Sequence, residues 1–382
     1  MKTPTRQTIG YFATYFMLGA IMASLGPTLS GLAENVGVTL ATIGMLFSTR
    51  SLGYLSGALL GGSFYDRFKG HIILGLFAIV GAIALWFVPT ATIFAILAIL
   101  MFIIGLTQGG SDVGCNTQLA AVHKSKVGPL INAMFFVAGL GSFFIPLLIG
   151  ELSLLWGYRL LSLGLLPVAF WLLNTPSPVI EKSSHQDDQP LESYPLVILL
   201  FMLLAFIYTG AEVSYGGWIF TYFNASNLGS EAAAYRINSL FYLAITLGRL
   251  LSIPLAVRLK PGAMIWGYLG SAAFSALLMA LLPTQPWSIW LGTVGLGLSI
   301  AAIFPTTFTY VRAYTNLSGK QTGLVWASGS FGAMVLPWLV GHGMDLKGPA
   351  SMMLILTVLW FFALGLFLLM KRTQSESLIR SA

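Results

Sequence analysis

The 382-residue sequence predicts an all-α integral membrane protein with twelve transmembrane helices in two pseudo-symmetric six-helix bundles. Three observations lead to this prediction. The chain is 57% hydrophobic and only 8% charged, whereas a soluble domain carries roughly 25% charged residues. Apolar runs long enough to cross a bilayer recur along the chain. Glycine and proline positions recur between its two halves.

A helix needs about 20 predominantly apolar residues to cross the hydrocarbon layer. Such runs lie, in order, at 9–33, 41–65, 71–88, 91–120, 128–151, 156–174, 194–223, 232–258, 262–282, 286–313, 319–343 and 350–371. The first run follows Met1 closely and has no small-residue cleavage site after it, so we expect a retained helix rather than a signal peptide.

Lysine and arginine fall mainly on one side of this topology. With a cytoplasmic N-terminus, the outer side carries only Arg159, Arg236 and Lys347. This bias predicts a multi-pass protein of the plasma membrane (the bacterial inner membrane) with both termini in the cytoplasm. The net charge of +7 then reflects topology, and we expect the lipid bilayer but no nucleic acid as a partner, because no basic cluster is interleaved with exposed aromatics.

The polar stretch at 175–193, TPSPVIEKSSHQDDQPLES, is interpreted as a cytoplasmic linker. It separates an N-terminal six-helix bundle, 1–174, from a C-terminal bundle with a short cytoplasmic tail, 194–382. A shift of 191 residues aligns Gly19 with Gly210, Gly26 with Gly217, Gly57 with Gly248, Arg67 with Arg258, Gly141 with Gly332, Pro146 with Pro337 and Gly150 with Gly341. Near the fourth and tenth runs the match drifts by a residue, so that Gly105-Leu106 corresponds to Gly297-Leu298. Chance alignment is the alternative, but recurrence at one offset favours duplicated structure and a transporter that rocks about a central site.

Four charged residues lie well inside the apolar runs, away from their ends: Arg50, Asp112, Glu212 and Arg249. A charge in a membrane helix costs about 2.5–3.5 kcal/mol on insertion scales, so it normally faces a cavity or a partner. Depths counted at about 1.5 Å per residue pair Asp112 with Arg249 on the inner side and Arg50 with Glu212 farther out. Such pairs would be gating contacts between the halves. The alternative is that each base pairs within its own half.

Asp112 and Asn116 are one helical turn apart on the same face of the fourth run. Glycines at 105, 109, 110 and 114 would let a neighbouring helix or a ligand approach that face closely. An acid beside an amide can hold sugar hydroxyls, or can hold a coupling ion, either H⁺ or Na⁺. A purely structural clamp between helices is the alternative.

The seventh and eleventh runs contain further candidates for substrate binding. Glu212 is a second candidate ligand for the substrate or the coupling ion, and the other candidates are Ser214, Tyr215, Trp218, Trp326 and Ser330. Aromatic faces beside hydroxyl-binding groups suit a sugar ring. Anchoring at the membrane interface is a competing role for Trp218.

Several other classes of protein are disfavoured. No phosphate-binding loop of the type G-x-x-x-x-G-K-[ST] is present, and no nucleophile–base pair is apparent. The four histidines are too scattered for a metal site, and Cys115 is the only cysteine, which excludes an intramolecular disulfide. We therefore expect neither an enzyme nor a resident cofactor, apart from the coupling ion.

The segment between the second and third runs, Gly62-Ser63-Phe64-Tyr65-Asp66-Arg67-Phe68-Lys69-Gly70-His71, resembles the G-x-x-x-D-R-x-G-R-[KR] signature of the major facilitator superfamily. It departs from the signature where Lys69 replaces glycine and Gly70 replaces a basic residue. The resemblance implies the major facilitator fold over essentially the whole chain. It also implies that Asp66 and Arg67 control the conformational equilibrium and do not bind substrate. Simple positive-inside charge would account for Arg67 but not for Asp66.

Two further segments, Ser111-Asp112-Val113-Gly114-Cys115-Asn116 and Tyr208-Thr209-Gly210-Ala211-Glu212-Val213-Ser214-Tyr215-Gly216-Gly217-Trp218, are similar to the branch of fucose:proton symporters and sodium-dependent glucose transporters. That resemblance implies a sugar as substrate and a cation as co-substrate. Fucose symporters also carry an acid in their first span, which residues 9–33 lack.

These observations together predict a secondary transporter that acts as a monomer and imports a small polar solute, most readily a monosaccharide, by cation symport with alternating access. A proton-driven antiporter that exports drugs or metabolites is the first alternative. A non-transporting receptor or scaffold on the same fold is the second.

Overall fold

The computed structural model describes residues 3–124, 127–178, 195–313, 315 and 317–381. Within these residues the protein is built of α-helices and a short 3-10 turn, with no strand. The helices are α1 (Thr3–Val36), α2 (Leu40–Arg67), α3 (Gly70–Phe87), α4 (Phe94–His123), α5 (Val127–Leu152), α6 (Leu154–Leu173), α7 (Pro195–Ala225), α8 (Glu231–Arg258), α9 (Pro261–Leu281), α10 (Pro286–Ile300), α11 (Ile303–Arg312), α12 (Gly319–Lys347) and α13 (Ser351–Ser381). The predicted linker, 175–193, lies outside the described residues from 179 onward.

Eleven segments of the described chain are long and apolar enough to cross a membrane, in agreement with the predicted all-α, multi-pass fold. The remaining predicted span, α2, is less apolar because it carries Arg50 and many hydroxyl and glycine residues. The tenth span consists of two helices, α10 and α11, which are interrupted at Ala301 and Ala302. Pro305 explains this break, since proline has no N–H for the carbonyl of Ala301 and its ring would clash there in a continuous helix.

Corresponding glycines of the two halves make corresponding helix contacts. A Cβ on Gly57 of α2 would lie 2.0 Å from the carbonyl oxygen of Leu106, and one on Gly248 of α8 would lie 2.6 Å from that of Leu298. Leu106 and Leu298 are also the residues that the drift in the sequence repeat brings into correspondence. Backbones approach this closely only where no side chain intervenes, so the pseudo-symmetry is present in the helix packing itself.

The two halves are in contact at one end of the molecule, which we call the far end; it is the end at which α1 finishes and α2 begins. The backbone N–H of Ala41 in α2 donates to Oδ2 of Asp345 in α12 at 2.6 Å. Ser48 donates to the carbonyl of Met334 at 2.5 Å. A Cβ on Gly26 of α1 would lie 2.5 Å from a carbonyl oxygen of α7. These contacts close the far end.

The opposite end, at which α1 begins, is open, and we call it the near end. Every residue from 253 to 260, at and just beyond the end of α8, is exposed, so this helix end packs loosely against its neighbours. On α12, Trp326 and Phe331 are 58% and 55% exposed. The space between the halves is therefore reached from the near end.

Candidate functional site

Close backbone contact between α2 and α4 positions the polar residues of the first half. A Cβ on Gly105 would lie 1.9 Å from the carbonyl oxygen of Arg50, and one on Gly109 would lie 2.0 Å from that of Tyr54. The glycines around Asp112 thus allow the two helices to touch. As a result, successive turns of α2 present Arg50 and then Tyr54 to the polar face of α4.

The carboxylate of Asp112 is held by donors from three helices. The hydroxyl of Tyr15 in α1 donates to Oδ1, and the hydroxyl of Tyr54 in α2 donates to Oδ2 at 2.5 Å. The amide of Asn116 donates to Oδ1 at 3.2 Å and to the Tyr15 oxygen at 2.5 Å. Asp112 and Asn116 are half-buried. The hydroxyl, amide and carboxylate oxygens gathered here are hard ligands that suit a small cation.

The side chain of Arg50 is bound by neutral acceptors. It lies one turn of α2 before Tyr54, at the same contact between α2 and α4. Its Nε donates to Oε1 of Gln108 at 2.9 Å, and one terminal nitrogen donates to the carbonyl of Met22 at 3.2 Å. The amide of Gln108 is fixed in turn, because its nitrogen donates to the carbonyl of Leu18 at 3.2 Å.

The charges of the second half form a cluster of their own. Tyr208, Glu212 and Arg249 lie close enough to interact electrostatically with one another. The guanidinium of Arg249 also lies over the ring of Phe135 in α5, 5.6 Å from its centroid. Tyr242 of α8 interacts electrostatically with Arg50 as well as Glu212.

The structure corrects the predicted charge pairs. Arg249 shares its cluster with Glu212 and not with Asp112, and Arg50 contacts Gln108 in place of Glu212. In the second half, the charges therefore follow the alternative of pairing within a half. The depth estimate compared positions along the helices only, and such a count does not give the direction in which a side chain points.

Two of the candidates on α7 lie in tight packing, away from the open space. Ser214 and Tyr215 are both 0% exposed. Ser214 donates to the carbonyl of Gly210 at 2.6 Å, and the hydroxyl of Tyr215 lies 2.6 Å from Oγ1 of Thr293. These polar groups are satisfied by the protein, so this conformation does not present them to a ligand.

Trp218 is fully buried where the two halves meet. Its indole N–H donates to the carbonyl of Pro337 at 2.8 Å, and its ring lies 6.0 Å from that of Phe47 in the first half. A Cβ on Gly44 would lie 3.1 Å from the same ring. Trp218 therefore helps to close the far end, and neither a substrate contact nor an interfacial anchor describes its position here.

Trp326 and Ser330 lie on the open part of α12. Trp326 is 58% exposed, and its ring centroid is 4.7 Å from that of Phe304. Phe304 stacks at 6.2 Å on Tyr208, which connects this aromatic surface with the Glu212 cluster. The exposed indole of Trp326 thus offers an apolar face, and Phe304 links it to the Tyr208 ring of the polar cluster.

Asp66 and Arg67 form the last turn of α2 at the near end, and both are exposed. Within the described part of the chain, neither side chain has a hydrogen bond or an ion pair. Their position at the edge of the molecule, far from Asp112, is compatible with the conformational role that the signature implies.

Sequence reasoning missed the tyrosines that complete both clusters. Tyr15, Tyr54 and Tyr208 each lie in the middle of an apolar helix, where a phenol normally finds a hydrogen-bond partner. Tyr15 is 2% exposed and lies on α1, in the stretch 9–33 that contains no acid. A search for phenols inside membrane spans would have found these residues, although not their partners.

Two six-helix halves that meet at one end, with charged side chains inside their membrane-spanning helices, are typical of a membrane transporter. The sequence profile of the Major Facilitator Superfamily matches residues 11–337. The chain belongs to this superfamily and is a transporter, not an enzyme.

Similar proteins include sugar transporters. Sodium-dependent glucose transporter 1 of Xenopus laevis is 30% identical over 356 residues, which cover 84% of this chain and 72% of the relative. The Homo sapiens protein of the same name is 28% identical over 372 residues, covering 86% and 72%.

Solved structures of two further transporters share the fold. A D-xylose-proton symporter superposes with a TM-score of 0.79 at 12% identity, over 96% of this chain and 97% of the symporter. The nucleoside transporter NupG superposes with a TM-score of 0.74 at 14% identity, over 97% and 99% of the two chains. At these identities the likeness concerns the fold alone.

Proposed function

We propose that this transporter carries a monosaccharide together with a cation, H⁺ or Na⁺, by alternating access. The environment of Asp112 is the observation that carries the proposal. Its half-buried carboxylate is bound by Tyr15, Tyr54 and Asn116 and by no described basic side chain. A charge in this position is stabilised by a mobile cation, and the similarity to sodium-dependent glucose transporters supports the same assignment.

The substrate would bind between Asp112 of the first half and the surface formed by Trp326, Tyr208 and Glu212 in the second half. Sugars need donors and acceptors around an apolar face, and these side chains supply both. We place the protein in a bacterial inner membrane with both chain termini on the cytoplasmic side. The near end then faces the cytoplasm, and the conformation is inward-facing. We further propose that the monomer is the functional unit.

Reconstituted proteoliposomes test this proposal directly. Uptake of a panel of radiolabelled monosaccharides is measured with a Na⁺ gradient or a pH gradient imposed separately. We expect one of the gradients to drive accumulation of at least one sugar above its external concentration. Extrusion driven by a pH gradient would favour the antiporter instead, and no response to either gradient would refute symport.

The variant Asp112→Asn separates coupling from substrate binding. Because asparagine keeps the side-chain volume but loses the charge, exchange of labelled for unlabelled sugar should persist while accumulation driven by the gradient disappears. Glu151→Gln is the matched control, since Glu151 is an exposed acid at the end of α5. Normal accumulation by Asp112→Asn would mean that Asp112 has a structural role only.

A further inference from the structure

Phe135 of α5 touches both charge clusters. Its ring packs edge-to-face against Tyr15, with centroids 5.6 Å apart and planes at 83°. The guanidinium carbon of Arg249 lies 5.6 Å from the centroid of the same ring. Phe135 is 37% exposed, so its ring is not locked on every side by packing.

The residues on either side of this ring belong to different halves of the transporter. Tyr15 donates its hydroxyl hydrogen to the Asp112 carboxylate. Arg249 belongs to the cluster with Tyr208 and Glu212. A single aromatic side chain therefore connects the candidate cation site of the first half to the charges of the second half.

A cation bound at Asp112 would change the hydrogen bonding of Tyr15. A cation that binds Oδ1 of Asp112 takes up a lone pair of that oxygen and repels the hydroxyl hydrogen of Tyr15, so the hydrogen bond between them weakens. The phenol then moves, and the ring packed against it moves as well. The attraction between a guanidinium and an aromatic face depends on their relative position, so Arg249 is affected in turn.

We propose that Phe135 is the positioning residue that couples cation occupancy at Asp112 to Arg249 and thereby to the approach of the two halves. This inference rests on the proposed function, because it requires a cation to bind at Asp112. In this inference, Phe135 transmits the change from one charge cluster to the other. It binds neither the cation nor the sugar.

The test uses the full-length transporter without sugar. Spin labels at Phe68 and Lys320, exposed positions on the two halves at the near end, report the near-end distance by electron paramagnetic resonance. Cation binding is measured separately as the rise in Tm on replacing choline by Na⁺, or on adding protons at constant choline. In the unmodified protein, one of these cations should change the ratio of open to closed near-end populations by about 2–30-fold, the range that a cation–π contact supplies.

Phe135→Leu keeps an apolar side chain but removes the aromatic face. We expect it to retain the rise in Tm with the cation and to lose the change in near-end populations, whereas Phe135→Tyr should keep both. Phe144→Leu is the matched control on the same helix, since Phe144 is 46% exposed and packs against Phe143. Phe135→Met is a second variant in case the leucine variant folds poorly.

The outcomes separate this inference from the proposed function. If Phe135→Leu or Phe135→Met keeps the full population change, Phe135 only packs and the inference is wrong. Loss of the rise in Tm in Phe135→Leu would also refute it, because Phe135 would then shape the cation site itself. If the unmodified protein responds to neither Na⁺ nor protons, the proposed function fails and takes this inference with it.

Discussion

The contact between Asp345 and the start of α2 should hold the far end closed. Asp345 lies in α12 and accepts the N–H of Ala41, so the contact joins the two halves and exists only while they touch at this end. The start of α2 is also the positive end of its helix dipole, and a carboxylate there is stabilising. Opening the far end requires this contact to break.

The expected magnitude follows from the geometry. A negative charge at an exposed helix N-terminus contributes about 0.3–1 kcal/mol, and Asn can still accept the N–H. Asp345→Asn should therefore raise the ratio of far-end-open to far-end-closed molecules by about 2–5-fold. Asp345→Ala also removes the acceptor, and a hydrogen bond to a charged group contributes about 1.5–3 kcal/mol. Because the contact is exposed, we expect the lower end of this range, or about tenfold.

Spin labels at Glu34 and Lys347, exposed positions at the far ends of α1 and α12, measure this ratio by electron paramagnetic resonance. The same labels in Glu151→Gln control for a general loss of negative charge at the far end. A larger shift in the alanine variant than in the asparagine variant is expected. Unchanged distance distributions in both Asp345 variants would refute the argument that this contact stabilises the closed far end.

Three further predictions concern packing and conformation. Trp218→Ala should destabilise the protein by about 3–5 kcal/mol, because it empties a fully buried site. Trp326→Ala should leave Tm nearly unchanged and raise the KM for sugar. The reverse pattern would contradict the positions assigned to the two residues. Gly57→Ala should lower Tm because its Cβ would lie 2.0 Å from a backbone oxygen of α4, while Gly62→Ala meets nothing within 4 Å; equal Tm values would show that the crossing adapts freely. Asp66→Asn should leave substrate affinity intact in near-end-open molecules and shift the population towards them, since Asp66 has no described partner in this conformation. Lost binding with unchanged near-end cysteine accessibility would contradict that role.

The helices were predictable because the bilayer imposes length and apolarity on each span, and these properties are visible in a single sequence. The repeat was predictable for a similar reason: Gly57 and Gly248 occupy positions where backbones touch, and such positions admit only the smallest residues. The break between α10 and α11 was missed although Pro305 lies beside it. Proline within a membrane span kinks some helices and interrupts others, and the local sequence does not distinguish these outcomes.

The partners of the buried charges were less predictable. Burial energy requires Asp112 to find donors, but it does not specify whether the donor is a base or a phenol. Counting residues from the helix ends placed Arg249 at a depth similar to that of Asp112. In the fold, however, Tyr15 and Tyr54 are the residues that reach the carboxylate. Which residues meet depends on helix order, tilt and rotation, and these are set by the packing of the whole molecule.

The charged residues of the two halves have different kinds of partner, and this difference matters for transport. In the second half, Glu212 and Arg249 have opposite charges and interact electrostatically with each other. In the first half, Asp112 and Arg50 are each held by uncharged groups. Separated charges of this kind retain unfavourable desolvation that an incoming partner can relieve. The first half is therefore the half in which the arrival of a cation at Asp112, or of an electron-rich oxygen at Arg50, changes the free energy most.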